Sequence, residues 1–213
     1  MFNFSSKTLV NKEYKLNDFL KQIKANKEVK DDAKKIDKIL FQNVISANSL
    51  NAEEEKNYKN IYVIKLILKT DVLPRLFIEE LDKNIAFHTY FICEYDNQIC
   101  TLMAFKDIGS KIKIDTKYYG HGFKKDEPIE IPTINKVSEA YKIMLQYEIG
   151  IKTRKAETPE EYISRVKAIN KLEFQISKTE KGIQYETQPK KKFEYNERLR
   201  GYKKELQELK MED

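Results

Sequence analysis

The apolar positions of this chain change their spacing several times, and each change marks a new element. In residues 14–25, YKLNDFLKQIKA, Leu16, Phe19, Leu20 and Ile23 recur at helical spacing, and in 34–41, KKIDKILF, Ile36, Ile39 and Leu40 do the same. Two amphipathic helices are therefore expected at the start. NIYVIKLILK (60–69) is rich in β-branched residues and apolar on both faces, as an inner strand covered on two sides requires. Residues 71–84, DVLPRLFIEELDKN, return to helical spacing, with Asp71 near the cap and Leu73, Phe77 and Leu81 on the inner face. A second buried strand, AFHTYFICEY (86–95), follows. Strand, helix and strand in series predict a right-handed parallel crossover.

The second strand leads into a hairpin. A two-residue turn at Asp96-Asn97 pairs Tyr95 with Gln98, Glu94 with Ile99 and Cys93 with Cys100. ICTLMAFK (99–106) is the antiparallel partner, and KIKIDTKYY (111–119), alternating polar and apolar, reads as a strand nearer the sheet edge. The glycines of Gly120-His121-Gly122 predict a turn after it. Residues 135–148, NKVSEAYKIMLQYE, supply Val137, Tyr141, Met144 and Leu145 for one more packing helix. Residues 1–150 thus read as a mixed β-sheet domain with packing helices, of the α+β class.

After Gly150 the pattern turns polar and then helical to the end, so 151–213 reads as a linker and an antiparallel helical hairpin. In TPEE, Thr158 caps, Pro159 suits the first helical position and Glu161 completes a capping box. The first helix carries Tyr162, Val166, Ile169, Leu172 and Ile176 on one stripe, and Lys181-Gly182 is its expected end. The second starts near Pro189 and carries Tyr195, Leu199, Tyr202, Leu206 and Leu209, spaced by four, three, four and three. A stripe so narrow must meet its sister helix or a second protein, which makes Tyr195, Leu199, Tyr202 and Leu206 candidate interface residues.

With 213 residues, 40% hydrophobic, the chain can bury a core despite 35% charged residues. The opening MFNFSSKTLVNKEYK has no basic segment followed by an apolar run, and no apolar window is long enough to cross a bilayer. The expected setting is cytoplasmic, with no membrane partner. There Cys93 and Cys100 stay reduced and act as small apolar residues. The two histidines, His88 and His121, form no ligand cluster at zinc spacing, so neither a metal nor another cofactor is expected.

The formal net charge of +6 points to an acidic partner, nucleic acid being the usual one. The positive charge is nearly all Lys, and AT-rich coding alone would enrich Lys, Asn and Ile together. One uninterrupted basic run, Lys190, Lys191 and Lys192, falls at the hairpin tip, where a helix-start dipole adds to the charge and favours an anion. Farther along, Glu194 with Arg198 and Lys204 with Glu208 suit solvated helical pairs.

Candidate catalysis is sparse. Asp107, Asp115 and Lys117 stand in the order of a metal-dependent nuclease of the restriction-endonuclease class, and a regular strand would point Asp115 and Lys117 the same way. Acid-x-Lys triplets recur elsewhere, as Glu13-Tyr14-Lys15 and Glu28-Val29-Lys30 show, and an exposed edge strand explains the same charges. No Gly-rich phosphate loop and no dinucleotide fingerprint is present.

Gln188-Pro189-Lys190-Lys191-Lys192-Phe193-Glu194, followed by Leu199 and Lys203-Lys204-Glu205-Leu206, resembles the bacterial and archaeal domain-of-unknown-function family 4391. A weaker likeness runs through IYVIKLILK to AFHTYFICEY, ICTLMAFK and EAYKIMLQYEIG. Members commonly open with Leu-Pro-x-Ser-Thr, where this chain has Phe4-Ser5-Ser6-Lys7-Thr8. The resemblance implies genes often placed beside DNA methyltransferases and helicases of restriction or phage-defence type, with no assigned activity. The expected function is a non-enzymatic accessory or adaptor protein docking a partner, a methyltransferase or helicase by resemblance, through the hairpin. The alternatives are a nucleic-acid-binding module using Lys190–Lys192 and a metal-dependent nuclease-like domain.

Overall fold

The computed structural model describes residues 2–109, 111–130, 132 and 134–211. In chain order the first elements are β1 (Phe2–Asn3), a 3-10 turn (Ser6–Thr8), β2 (Leu9–Tyr14), α1 (Leu16–Gln22), α2 (Lys27–Ala33), β3 (Ile36–Ser46) and α3 (Ala47–Leu50). The sheet continues with β4 (Asn60–Leu68), α4 (Arg75–Asn84), β5 (His88–Tyr95), β6 (Gln98–Ile108), β7 (Ile112–Lys125), β8 (Ile129–Glu130) and α5 (Val137–Ile149). Two long helices end the chain, α6 (Pro159–Tyr185) and α7 (Pro189–Lys210). The chain divides into two compact units, Met1–Gly150 and Ile151–Asp213.

Strands β2 to β7 form one six-stranded sheet in sequence order, and β1 pairs separately with β8. Only β4 and β5 run parallel within the six, with α4 as the crossover, and the other neighbours are antiparallel. The expected mixed α+β sheet is present. The Asp96-Asn97 turn sits at positive φ in both residues and sets Cys93 opposite Cys100, both of them free and buried.

Strand alternation splits the core in two. One face carries Ile64, Leu66, Phe91, Cys93 and Leu102, clustered with Phe77, Ile78 and Leu81 of α4 and Val29 and Ala33 of α2. On the other face α5 buries Val137, Ala140, Tyr141, Met144 and Leu145. Its Tyr141 hydroxyl donates to the Ala104 carbonyl and accepts from the Lys106 amide, which seats the helix on β6.

Residues 34–41 are not the expected helix, because β3 runs through them. Ile36 opposes Leu68 and Ile39 opposes Leu66, with a register shift between Ile36 and Lys38. The bulge inserts one residue, so two side chains three apart in sequence reach the same face. That irregularity imitates helical spacing. The second opening helix lies earlier, at α2, where Asn26 caps by accepting from the Val29 amide at 2.9 Å.

Two other expectations fail at glycines. Gly120-His121-Gly122 makes no turn, since β7 continues through it to Lys125. At Gly120 a Cβ would lie 2.1 Å from the Thr101 carbonyl oxygen of β6, so this glycine allows a close backbone approach. Gly182 does not end α6, which continues to Tyr185 and is capped by Glu186. The Tyr195 ring of α7 comes within 3.6 Å of where a Gly182 Cβ would stand, an ordinary van der Waals distance, so the glycine sits inside the helix on the side that meets α7. The Thr158 capping box forms as expected.

The contrast between Gly120 and Gly122 is testable, because a Cβ at Gly122 meets nothing within 4 Å. Gly120→Ala should cost about 2–4 kcal/mol in urea unfolding, whereas Gly122→Ala should stay within about 1 kcal/mol of the parent. Equal losses would contradict the β6–β7 geometry.

Candidate functional site

Buried ionisable groups are the first place to look for chemistry, because burying a charge is costly unless it is used or paired. On the α4 face, Lys106 and Asp82 are both buried and meet at 2.5 Å. The Lys106 ammonium also donates to the carbonyls of Asp82, Ile85 and Phe87 at 2.9, 3.0 and 2.8 Å. Asp82 accepts from the Thr89 hydroxyl and from Tyr118 Oη at 2.7 Å. The ammonium's donors and the carboxylate's acceptors are thus engaged inside the fold, and the pair closes the C-terminal end of α4 onto β6. Burial lowers the Lys106 pKa against the pull of Asp82, and burial with the Asp82 charge raises that of Tyr118.

On the α5 face, the Tyr90 hydroxyl donates to Glu148 Oε1 at 2.6 Å. His121 Nε2 lies 3.9 Å from Glu148 Oε2 and 3.0 Å from the Tyr147 carbonyl. Burial raises the Glu148 pKa, while hydrogen bonds from Tyr90 and Thr101 and the charges of His121 and Lys124 pull it down. A carboxyl with raised pKa beside a half-exposed imidazole could move a proton. The neighbouring cleft, lined by Arg75, Thr101, Tyr118, Tyr119 and His121 among others, has only about 120 Å³. That is too small for an ordinary substrate, for which about 300 Å³ is the lower end.

The nuclease residues are spread by a bulge. Ala104 pairs with Tyr118 and Lys106 with Ile114, so Asp115, Thr116 and Lys117 fall in the irregular stretch of β7, and Asp107 faces Lys113 instead. Lys117 Nζ sits 4.7 Å over the Tyr119 ring. Among the described residues no group of three or more His, Cys, Asp or Glu side chains is arranged to hold a metal ion, and no helix is long and apolar enough to cross a membrane.

The hairpin presents its residues differently. Tyr195, Leu199, Tyr202 and Leu206 are half-buried and lie on the side of α7 that meets α6. Cross-helix pairs flank the seam: Lys203 with Glu180 at 2.9 Å and Lys210 with Glu173 at 2.7 Å. At the base, Arg154 donates to the Glu208 carbonyl at 3.0 Å and Arg165 to the Leu209 carbonyl at 3.2 Å, capping the negative end of α7. Arg165 is fixed in turn by Glu157, at 2.6 and 2.7 Å. Burial works against the Glu157 carboxylate, but Arg165 and Arg154 hold its pKa below the usual range.

Two surfaces of the hairpin remain outward. On α7, Phe193, Arg200 and Lys204 share one exposed line, opposite the Tyr195 stripe, and the exposed Met211 follows at the C-cap. Lys204 meets Glu208 at 4.0 Å, as their spacing predicts, and Arg200 meets Glu197 at 2.9 Å. Lys190, Lys191 and Lys192 are exposed at the start of α7, whose first turn contains no acid.

Lys106 and Asp82 escaped the sequence reading. Their signal was faint: a lysine closing the apolar run ICTLMAFK, and an aspartate directly after the inner-face Leu81. Lys106→Met strands the Asp82 carboxylate and should cost about 3–5 kcal/mol in chemical unfolding, with much of it restored by adding Asp82→Asn. No recovery in the double variant would refute the pairing. His88 gives a pH test. It stacks between Tyr58 and Tyr141, with centroids 4.8 and 4.1 Å away, and burial followed by the Lys106 charge lowers its pKa to about 3. The unfolded chain, with its imidazole near 6.5, binds the proton first as the pH falls, so this stability is present above pH 6.5 and lost towards 3. Wild type should lose about 2–3 kcal/mol more than His88→Phe between pH 7 and about 4.5; parallel curves would remove His88 as the cause.

No curated protein and no solved structure matches the chain. A family model does match, over residues 2–206. With nearly the whole chain covered, both the sheet unit and most of the hairpin unit included, the protein belongs to the family described as Domain of unknown function (DUF4391).

Proposed function

We propose that this protein is a non-enzymatic accessory or adaptor protein of a restriction-modification or phage-defence type system, docking a partner protein through its C-terminal hairpin. The observation that carries this reading is the outer face of α7. Phe193 in the second turn and Met211 at the C-cap bracket this face, 66% and 54% exposed, and Arg200 and Lys204 between them pair within the helix. A nearly neutral surface anchored by large apolar side chains suits a protein partner, because little charge must be desolvated on contact. The Tyr195 stripe serves the hairpin itself, so docking falls to the opposite side. The body supports a non-catalytic role, since its buried charges are engaged in holding helices to the sheet.

The implied partner is the methyltransferase or helicase that the resemblance places beside such genes. In the full chain, Phe193→Asp should reduce copurification of that partner at least tenfold and leave the melting temperature within about 2 °C, as expected for an exposed position. Undiminished capture would defeat the reading.

A second reading, nucleic-acid binding at the hairpin tip, is favoured by the three exposed lysines in the acid-free first turn of α7. Their charges and the helix dipole act in the same direction on a phosphate.

A further inference from the structure

The face of α6 turned away from α7 has a composition unlike any other surface of the hairpin. Lys167, Lys171, Phe174, Lys178, Lys181 and Tyr185 recur at intervals of four, three, four, three and four, and all are exposed. At about 3.6 residues per turn they form one line roughly 27 Å long. The line lies roughly a third of a turn around the helix from Glu173 and Glu180, which reach across to Lys210 and Lys203. Those two are the only acids between Lys167 and Tyr185, and both are engaged at the seam. The outward line therefore carries positive charge with no acid among it.

The aromatic residues decide the ligand. Phe174 is 70% exposed and Tyr185 84%, a costly placement for a Phe on a helix that has an apolar seam available. We propose that this line is a binding track for single-stranded nucleic acid, with Lys171, Lys178 and Lys181 on backbone phosphates and Phe174 and Tyr185 stacking against bases. A duplex hides its base faces, so exposed rings gain little from it, whereas a single strand offers a π-face at every nucleotide. An anionic bilayer is the poorer occupant. It needs apolar side chains on one face and lysines on the flanks, and here rings and lysines alternate along a single line. Beyond the three-residue loop, Lys190, Lys191 and Lys192 extend the positive charge of the track.

This track extends the nucleic-acid reading of the tip and is independent of the α7 docking face. The test uses the full chain and a fluorescent oligothymidine of about 20 nucleotides, read by anisotropy from about 50 to 200 mM salt. Wild type should prefer the single strand over a duplex of the same length at least tenfold, with affinity falling linearly in log salt. Lys171→Glu, Lys178→Glu and Lys181→Glu together should weaken binding at least tenfold and flatten the salt slope by about two. Phe174→Ala with Tyr185→Ala should weaken it at least tenfold and leave the slope unchanged, because stacking releases no counterions. Circular dichroism should be unaltered in both variants, and capture of the partner protein should persist in both, while Phe193→Asp should leave oligothymidine binding intact. Equal affinity for duplex and single strand, indifference to the ring substitutions, no binding at the lowest salt, or binding to phosphatidylserine vesicles in place of oligothymidine would each overturn the proposal.

Discussion

The body of the protein depends on one buried ammonium. Lys106 Nζ holds Asp82 and three carbonyls at the end of α4, and the amide of the same residue donates to Tyr141 of α5. One residue of β6 therefore ties down the helices on both faces of the sheet. The cost of burying that charge is offset only when every donor is satisfied, so the positions of α4, the turn leading into β5, and α5 constrain one another. The charge also acts on its surroundings: it helps keep His88 neutral inside the aromatic stack with Tyr58 and Tyr141.

The hairpin unit solves a different problem with the same chemistry. Two helices of 27 and 22 residues share a seam too narrow to bury α7, none of whose residues is fully buried. Half-exposed ion pairs beside the seam align the two helices, and two arginines on the final carbonyls of α7 hold its end. Neutralising Glu173 and Glu180 at the seam has a consequence outside it, because the remaining α6 lysines then dominate the outer face. On the outer face of α7, Arg200 and Lys204 pair along the helix with Glu197 and Glu208. One hairpin thus presents two chemically distinct surfaces.

Much of the architecture was legible in the sequence. Apolar runs located β4, β5 and β6, the Asp96-Asn97 turn set the register of β5 on β6, and helical periods located α1, α4, α5, α6 and α7, because each of these is a regular element whose side-chain period is its geometry. The failures share a cause. At Ile36 and Ile39 a bulge shifted the strand period, at Gly120 a glycine marked close approach of the neighbouring strand where an isolated chain would read a turn, and at Gly182 the helix packed on α7 ran on past a glycine that an isolated chain would read as a stop. The candidate site divided the same way. The stripe on α7 was visible as a repeat, but whether it faced α6 or a partner was not.

By itself, then, the sequence determined the class of fold, the order of the elements from β4 to β7 with α5, α6 and α7 after them, and the amphipathic stripes, since these follow from local periods and caps. Only the tertiary structure decided which charges are buried and which helix faces remain outward. Lys106 sits opposite Asp82, 24 positions away, because a crossover and a hairpin bring α4 and β6 together. The lysine and aromatic line of α6 became a surface only once α7 had covered the opposite side. Pairing across distant elements is a property of the packed chain, and no local pattern encodes it.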